Sequence, residues 1–96
     1  MNFVRFVHYS NEIMFLDDKG EMLANVTFPS VKENIVNVNH TFVDISQRGR
    51  GIAQKLMEEL VKDLKSTNRK AILTCSYAKK WFNEHPSCNE FVVGKE

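Results

Sequence analysis

The sequence predicts an α/β fold: a mixed sheet that starts with antiparallel strands and continues through a long helix, a further strand, a short second helix and a last strand. Two observations predict it. Within residues 1–43, apolar segments alternate with polar residues at the two-residue period of a strand. From residue 52 onward, apolar residues recur at the 3.6-residue period of a helix. Hairpins followed by a β-α-β crossover form a layered α/β sandwich.

The N-terminal half is predicted to form strands joined by turns. Residues 3–7 and 13–16 are rich in β-forming apolar side chains. Residues 17–20, which follow the second of these segments, have the composition of a turn. Residues 22–28 alternate apolar with polar or smaller side chains until a proline, which cannot donate to a strand ladder. One further strand is predicted from about residue 34 to residue 43.

The C-terminal half is predicted to contain two helices and two strands. The first helix carries a single apolar stripe, formed by Ile52, Ala53, Leu56, Met57, Leu60, Val61 and Leu64. It ends near residues 66–68, and residues 71–75 then form a short buried strand. Ser76 is predicted to cap a short helix over residues 77–83, and residues 91–93 form the last strand.

Length and charge predict one domain over residues 1–96 and exclude several classes of function. The formal net charge is only +1, which argues against a protein that attracts nucleic acid at long range. No apolar run approaches the ~18 residues of a membrane span, and no apolar N-terminal run resembles a signal peptide. We therefore expect a cytoplasmic protein, monomeric or weakly dimeric, that binds neither nucleic acid nor a membrane.

The two cysteines, Cys75 and Cys88, are expected to be free thiols in a reducing cytoplasm. Together with His40 and His85 they could suggest zinc. However, the sequence has no Cys-x-x-Cys or His-x-x-x-His pairing, so we predict no metal site.

Residues 44–53, between the last N-terminal strand and the long helix, are predicted to bind an anion. The first N–H groups of a helix have no intrahelical partner, and the helix dipole places partial positive charge there. Gly49 and Gly51 would let the backbone approach a phosphate, and Arg48 and Arg50 add charged donors. The alternative is that the two glycines only ease the turn from strand to helix.

The hexapeptide Arg48-Gly49-Arg50-Gly51-Ile52-Ala53 matches the family pattern Gln/Arg-x-x-Gly-x-Gly/Ala at each specified position. With Asn39-His40-Thr41 and the string at residues 74–79, it resembles the GNAT superfamily of acetyl-CoA-dependent N-acetyltransferases, and in particular its small, short-chain acetyl-CoA-binding group. The resemblance implies a truncated GNAT-like sheet, because Leu16 and Glu21 are separated only by a tight turn where typical family members have two helices.

The same resemblance implies acetyl-CoA as cofactor. The backbone of residues 47–53 would hold its pyrophosphate, and the strand ending at residues 42–43 would pair with its pantetheine arm. The implied cofactor-binding residues are Phe42, Val43, Gln47, Arg48, Gly49, Arg50, Gly51, Ile52, Ala53, Ser76 and Lys79. Lys80 and Trp81 could line the outer half of the cofactor, although a solvated helix face explains the lysines equally well.

Three residues are candidates for the chemistry of acetyl transfer. Tyr77 is implied by the resemblance as the acid that protonates the coenzyme A sulfur, but a tyrosine on a short helix is as often a core residue. Cys75 precedes a helix N-terminus, where a thiol loses its proton more readily, and His40 could act as its base. The alternatives are a small buried hydrophobe for Cys75 and a hydrogen-bonded structural residue for His40.

Two functions follow from these observations. The chain is an N-acetyltransferase of unknown amine acceptor, small molecule or protein, with Cys75 near the thioester. Alternatively it binds or senses acetyl-CoA without transfer to an external acceptor. A third, weaker hypothesis is a nucleic-acid module that uses Arg48 and Arg50.

Overall fold

A computed structural model describes residues 4–95 of the chain. Its strands are β1 (Arg5–Tyr9), β2 (Glu12–Leu16), β3 (Met22–Thr27), β4 (Ser30–Lys32), β5 (Ile35–Val38), β6 (His40–Val43), β7 (Lys70–Leu73) and β8 (Val92–Lys95). Its α-helices are α1 (Ile52–Thr67) and α2 (Ser76–Asn83), and 3-10 helices cover Ile45–Gln47 and Pro86–Phe91. The predicted α/β class and the long and short helices are confirmed. Phe3, which we assigned to the first strand, lies outside the described residues.

The strands form two sheets. Strands β1, β2, β3 and β6 are antiparallel and lie in that order. The second sheet has the order β4-β5-β7-β8, in which β5, β7 and β8 are parallel to one another. Short turns connect β1 to β2 and β2 to β3, so the truncation inferred from the tight turn after Leu16 is present in the fold.

The single strand predicted over residues 34–43 is wrong, because Asn39 divides it into β5 and β6. The two strands pair with different partners: β5 with β7, and β6 with β3. The amide N–H of Asn39 donates to the carbonyl of Thr27 at 3.3 Å, and the Thr27 hydroxyl donates to Asn39 Oδ1 at 2.6 Å. These contacts bind the chain to β3 just where β5 ends. Strand β4, which follows Pro29, was not predicted either.

Helix α1 lies against the first sheet and supplies more buried apolar side chains to the core than any other element. Ile52, Leu56, Met57, Leu60 and Leu64 are buried, as the apolar stripe predicts. They pack with β2 and β3 side chains that are at most 5% exposed, namely Ile13, Phe15, Ala24 and Val26. The helix ends at Asn68, which adopts positive φ. Alternation along the strands leaves Val7, Met14 and Phe42 on the opposite face of this sheet. No helix within residues 4–95 has the length and hydropathy needed to cross a membrane.

Candidate functional site

The segment between β6 and α1 is held by its own side chains. Asp44 begins the short 3-10 helix and accepts hydrogen bonds from the backbone N–H and the hydroxyl of Ser46. These bonds lower the pKa of the Asp44 carboxyl below its usual range. The Asp44 N–H donates to the carbonyl of Leu23 on β3 at 2.7 Å, which anchors the start of the segment to the first sheet.

The start of α1 is an uncapped helix N-terminus. Gly51 stands at the N-cap with φ of 73°, so it has no side chain to accept from the first N–H groups, and the first turn holds no acidic residue. Gly49 also has positive φ, at 82°. Apart from the adjoining residues, a Cβ built at either glycine would meet no atom of the described residues within 4 Å. The glycines are therefore required for backbone conformation, and the space in front of them is open.

A cleft of about 280 Å³ begins at this helix start. Its lining residues are Val43, Gln47, Arg48, Gly49, Gly51, Ile52, Ala53, Gln54 and Tyr77. The fold thus brings Tyr77 of α2 together with most of the residues predicted to hold the pyrophosphate. Gln54 also lines the cleft but was not predicted from the sequence. Its position in the first turn of α1 was the feature that could have predicted it.

The two arginines of the motif face different clefts. Arg48 lines the cleft at the start of α1, and its Nε donates to the carbonyl of Val43 at 3.4 Å. Arg50 lines a separate cleft of about 220 Å³, next to Asp17 and Asp18 of the β2–β3 turn. Gly49 and Gly51, on either side of Arg50, both have positive φ, so the chain turns sharply between the two arginines. We therefore assign only Arg48 to the candidate anion site.

Strands β6 and β7 separate beside this cleft. The N–H groups of Thr74 and Cys75 both donate to the carbonyl of Val38, at 3.1 and 3.0 Å, and there the contact of β7 with the β5–β6 segment ends. Beyond Val38, and among residues 4–95, β6 pairs only with β3. Cys75 lies in the resulting gap, half-buried, with its Sγ 3.5 Å from the hydroxyl of Thr41 on β6.

The predicted pair of His40 and Cys75 is not in contact through this gap. Successive residues of a strand point to opposite faces, so Thr41 and His40 of β6 point in opposite directions. Thr41 faces Cys75, whereas His40 is exposed on the other face, together with Phe42. The polar neighbour of the thiol is therefore a hydroxyl and not an imidazole.

Helix α2 begins one residue earlier than predicted. Cys75 occupies the N-cap in an extended conformation, and Ser76 is the first helical residue, so the predicted cap by Ser76 is wrong. Ser76 is exposed, and neither it nor Lys79 lines the cleft with Tyr77. Trp81 is 4% exposed and its ring stacks on His85 with centroids 4.0 Å apart, which makes it a core residue.

Tyr77 is the one acid of the cleft that sequence reasoning named. Its partial burial raises the pKa of the phenol, and the negative charge of Glu84 raises it further. The phenol therefore keeps its proton at neutral pH and can donate a hydrogen bond. Cys75 and Cys88 are free thiols, and the described part of the chain contains no cluster of three metal-binding side chains.

Comparison with known proteins decides the family. The model of the GCN5-related N-acetyltransferase domain matches residues 12–91, which is most of the chain. The chain belongs to this family. Over 63 residues it is 36% identical to the NATD1 proteins of Gallus gallus and Mus musculus, a region that spans 66% of this chain and only 57% of those proteins.

Solved GCN5-related structures have the same fold. The solution NMR structure of a GCN5-like protein from Staphylococcus aureus superimposes with a TM-score of 0.76 at 29% identity, and the match covers 96% of this chain and 90% of that one. The GNAT family N-acetyltransferase YhbS of Escherichia coli, solved in complex with CoA, superimposes with a TM-score of 0.59 at 22% identity. That match covers 66% of this chain and 38% of YhbS.

A second polar cluster lies at the other end of α1 and was missed from the sequence. His8 of β1 contacts Asp63 and Glu59, and Arg69 pairs with Asp63 at 2.9 Å. His8, Asp63 and Arg69 border an open cleft of about 590 Å³. The sequence feature that could have predicted this cluster is Asp63, which lies three positions after Leu60 on the apolar stripe of α1. A charged side chain buried at such a position is nearly always paired with another charged group.

Proposed function

We propose that the chain binds acetyl-CoA with its pyrophosphate on residues 47–53 and transfers the acetyl group to an amine. The single observation that carries the cofactor half is the uncapped, acid-free start of α1 in an open cleft. Donors of the first helical turn and the positive end of the helix dipole suit a phosphate there. Arg48 adds a charged donor from the same wall. The residues present fit a diphosphate.

The free edge of β6 supports a site for the pantetheine arm. Within the described part of the chain this strand pairs only with β3, so its other edge is open there to an extended ligand. Such a ligand can hydrogen-bond to an open edge in the way that an added strand does. Val43 lies on this edge and also lines the pyrophosphate cleft, which makes the two parts of the proposed site continuous.

The proposed chemistry uses few groups of the chain. Acetyl-CoA, when bound, supplies the acetyl group as a thioester. Tyr77 keeps its proton because its pKa is raised, so its O–H could protonate the coenzyme A sulfur as the new C–N bond forms and the C–S bond breaks. The proton that the amine nitrogen loses would then restore the phenol. Thr41 and Cys75 border the gap next to the open edge of β6. Because no basic side chain of the described residues contacts the thiol, we propose Cys75 as a wall of the thioester site and direct attack by the amine.

A second function deserves a test because of the short turns between β1 and β3. The family resemblance implies helices at this position that help to build an acceptor site, and this chain has turns instead. A protein that binds or senses acetyl-CoA without transfer to an external acceptor is consistent with that difference. The nucleic-acid hypothesis is less well supported, because Arg48 and Arg50 line different clefts.

An amide-shift titration of the labelled protein with acetyl-CoA and with free CoA tests the proposal. We expect the largest shifts at residues 47–54 and smaller ones along β6. Release of free CoA in the presence of an alkylamine then separates transfer from binding alone. Shifts that centre on the β1–β2 hairpin would refute the proposed site.

A further inference from the structure

The side chain of Arg48 contacts the backbone of Val43 within the candidate site. Its Nε donates a hydrogen bond to the Val43 carbonyl oxygen, with the two atoms 3.4 Å apart. Both residues line the cleft of about 280 Å³ at the start of α1. The contact therefore joins the two parts of the proposed site, the strand edge for the pantetheine arm and the loop for the pyrophosphate.

The carbonyl of Val43 belongs to the free edge of β6. In an antiparallel pair, successive residues direct their N–H and C=O groups alternately toward the partner strand and away from it. The register of β6 against β3 is regular up to Val43, and the N–H of the next residue, Asp44, donates to the carbonyl of Leu23 on β3 at 2.7 Å. The N–H and C=O of Val43, and those of Thr41, are therefore directed away from β3, toward the edge proposed for the arm.

A pantetheine arm needs the acceptor that Arg48 uses. Each amide group of the arm has an N–H donor and a C=O acceptor, and an extended ligand pairs with the backbone groups of the strand edge that face it. Of the edge residues, Val43 is nearest in sequence to the pyrophosphate loop, so its carbonyl suits the phosphate end of the arm. A carbonyl oxygen can accept two hydrogen bonds, but the planar guanidinium in front of it also covers the edge along which the arm extends. The arm and Arg48 therefore compete for this position.

A phosphate in the cleft would give Arg48 a better partner. Arg48 is exposed, and within residues 4–95 no salt bridge involves it, so its guanidinium can turn without the loss of an ion pair. The phosphate is proposed to lie at the start of α1, which Gly51 leaves uncapped in the same cleft. An arginine–phosphate pair, with opposite charges and parallel N–H···O bonds, is stronger than one long hydrogen bond to a neutral carbonyl. A bound diphosphate therefore draws Arg48 away from Val43.

We propose that Arg48 restricts the arm site to ligands that carry a phosphate, because it exchanges the Val43 carbonyl for the phosphate of CoA when the cofactor binds. The inference rests on the proposed cofactor binding and adds a specificity-determining role at that site. The ligand class that follows is a phosphorylated pantetheine. Phosphate-free pantetheine binds at a disadvantage, since it must displace Arg48 and offers the guanidinium no new partner.

The test compares pantetheine with CoA as ligands of the wild type and of Arg48→Ala, by amide-shift titration under reducing conditions. Arg48→Ala should bind pantetheine about threefold more tightly, because the arm no longer has to break a hydrogen bond of modest net free energy. The same variant should bind CoA more weakly, because the phosphate loses a charged donor. Changes of opposite sign distinguish the exchange from a general loss of the site.

Two further variants serve as controls. Arg5→Ala is the matched control, because Arg5 is also exposed and its Nη1 donates to the carbonyl of Asp17 at 3.3 Å, but it lies on β1, at the opposite edge of the first sheet. This variant should bind both ligands as the wild type does. Arg48→Met keeps an apolar stem without a donor and should behave as Arg48→Ala does, which separates the hydrogen bond from packing of the stem.

The Nε–H signal of Arg48 reports the exchange directly. In the wild type it should shift with both ligands, with pantetheine toward the position of a solvent-exposed arginine and with CoA in a different direction. If CoA shifts the amides of residues 47–54 but Arg48→Ala binds pantetheine no more tightly than the wild type, the exchange is overturned and the cofactor site stands. Weaker binding of both ligands to Arg48→Ala would overturn it equally. Silence of residues 47–54 with CoA would overturn the proposed cofactor site together with the exchange.

Discussion

The imidazole of His8 on β1 and the carboxylate of Asp63 on α1 are in contact, with Nδ1 and Oδ2 3.0 Å apart. The other ring nitrogen lies 2.9 Å from Glu59 Oε1, also on α1. Asp63 is 8% exposed, and its second oxygen accepts from Arg69. The contact therefore joins the edge strand of the first sheet to the helix that covers it, through a buried charge that Arg69 also pairs.

This cluster predicts a pH dependence of stability. Partial burial acts to lower the pKa of His8, but hydrogen bonds to Asp63 and Glu59 outweigh it and raise the pKa. Because the pKa of His8 is higher in the folded than in the unfolded chain, its contact stabilises the fold fully at pH values below the unfolded-state pKa, near 6.5. This stabilisation is lost as the pH rises through the folded-state pKa. We expect the free energy of unfolding to fall by at most about 1 kcal/mol above pH ~6.5, since His8 is partly exposed.

Chemical denaturation of the wild type, His8→Gln and His40→Gln from pH 5.5 to 8.5 measures this effect. The His8 variant should lose the slope, and His40→Gln, an exposed histidine without an ion pair among residues 4–94, should keep it. An equal slope in all three proteins would show that the contact does not contribute to stability. A separate loss of stability is expected at acid pH. Burial raises the pKa of Glu59, but its hydrogen bonds to Lys62 and His8 outweigh this effect and lower the pKa, so their contribution is lost as the carboxylate takes up a proton.

Gly51→Glu is expected to abolish acetyl-CoA binding. The variant places a side chain and a negative charge at the N-terminus of α1, where the pyrophosphate is proposed to bind. Gly20→Glu is the matched control, because Gly20 also has positive φ and open space but lies in the β2–β3 turn. Calorimetric titration of both should find tight binding only in the Gly20 variant. If both lose binding while folded, backbone strain is responsible and not the site.

Arg48→Ala and Arg50→Ala are expected to differ, although the residues are two positions apart. Arg48 lines the proposed pyrophosphate cleft, whereas Arg50 lines the other cleft together with Asp17 and Asp18. We expect Arg48→Ala to weaken acetyl-CoA binding about fivefold, with a smaller effect at high salt, because an exposed arginine–phosphate contact is screened. Arg50→Ala should bind with nearly wild-type affinity. The reverse order would mean that the cofactor occupies the other cleft.

Tyr77→Phe is expected to slow acetyl transfer without weakening acetyl-CoA binding. Removal of a general acid costs roughly a hundredfold or more in rate, while the apolar contacts of the ring remain. The measurement is the rate of CoA release with pentylamine as acceptor, together with the dissociation constant for acetyl-CoA. An unchanged rate would assign the phenol a packing role, and a parallel loss of affinity would make Tyr77 a binding residue.

Cys75 is expected to remain unmodified when the protein is incubated with acetyl-CoA. Its polar contact is the hydroxyl of Thr41, and His40 points to the other face of β6, so no base within residues 4–95 is in contact with the thiol to activate it. Intact-mass measurement should find no added acetyl group, and Cys75→Ala should bind acetyl-CoA and fold. A single hydroxylamine-labile acetyl mass, absent in Cys75→Ser, would establish the thiol as an acceptor and replace direct transfer.

Local signals were sufficient for much of the fold and for the heart of the candidate site. The apolar period of residues 52–64 predicted α1, because a helical stripe is a property of neighbouring residues. The glycine pattern at residues 49–51 predicted an uncapped helix start, because a positive φ at Gly51 depends mainly on that residue. The turn at residues 17–20, compared with the family that the chain resembles, likewise predicted the truncation.

Tertiary structure alone decided which faces these elements present. Asn39 ends β5 because of its bonds to Thr27, a strand partner that β-propensity cannot identify. The register of β6 then turns Thr41 toward Cys75 and His40 away from it, since a shift of one residue reverses every side chain of a strand. The pairing of His8 with Asp63 spans 55 positions of the chain. Such contacts depend on register and packing between distant segments, and no local pattern encodes them.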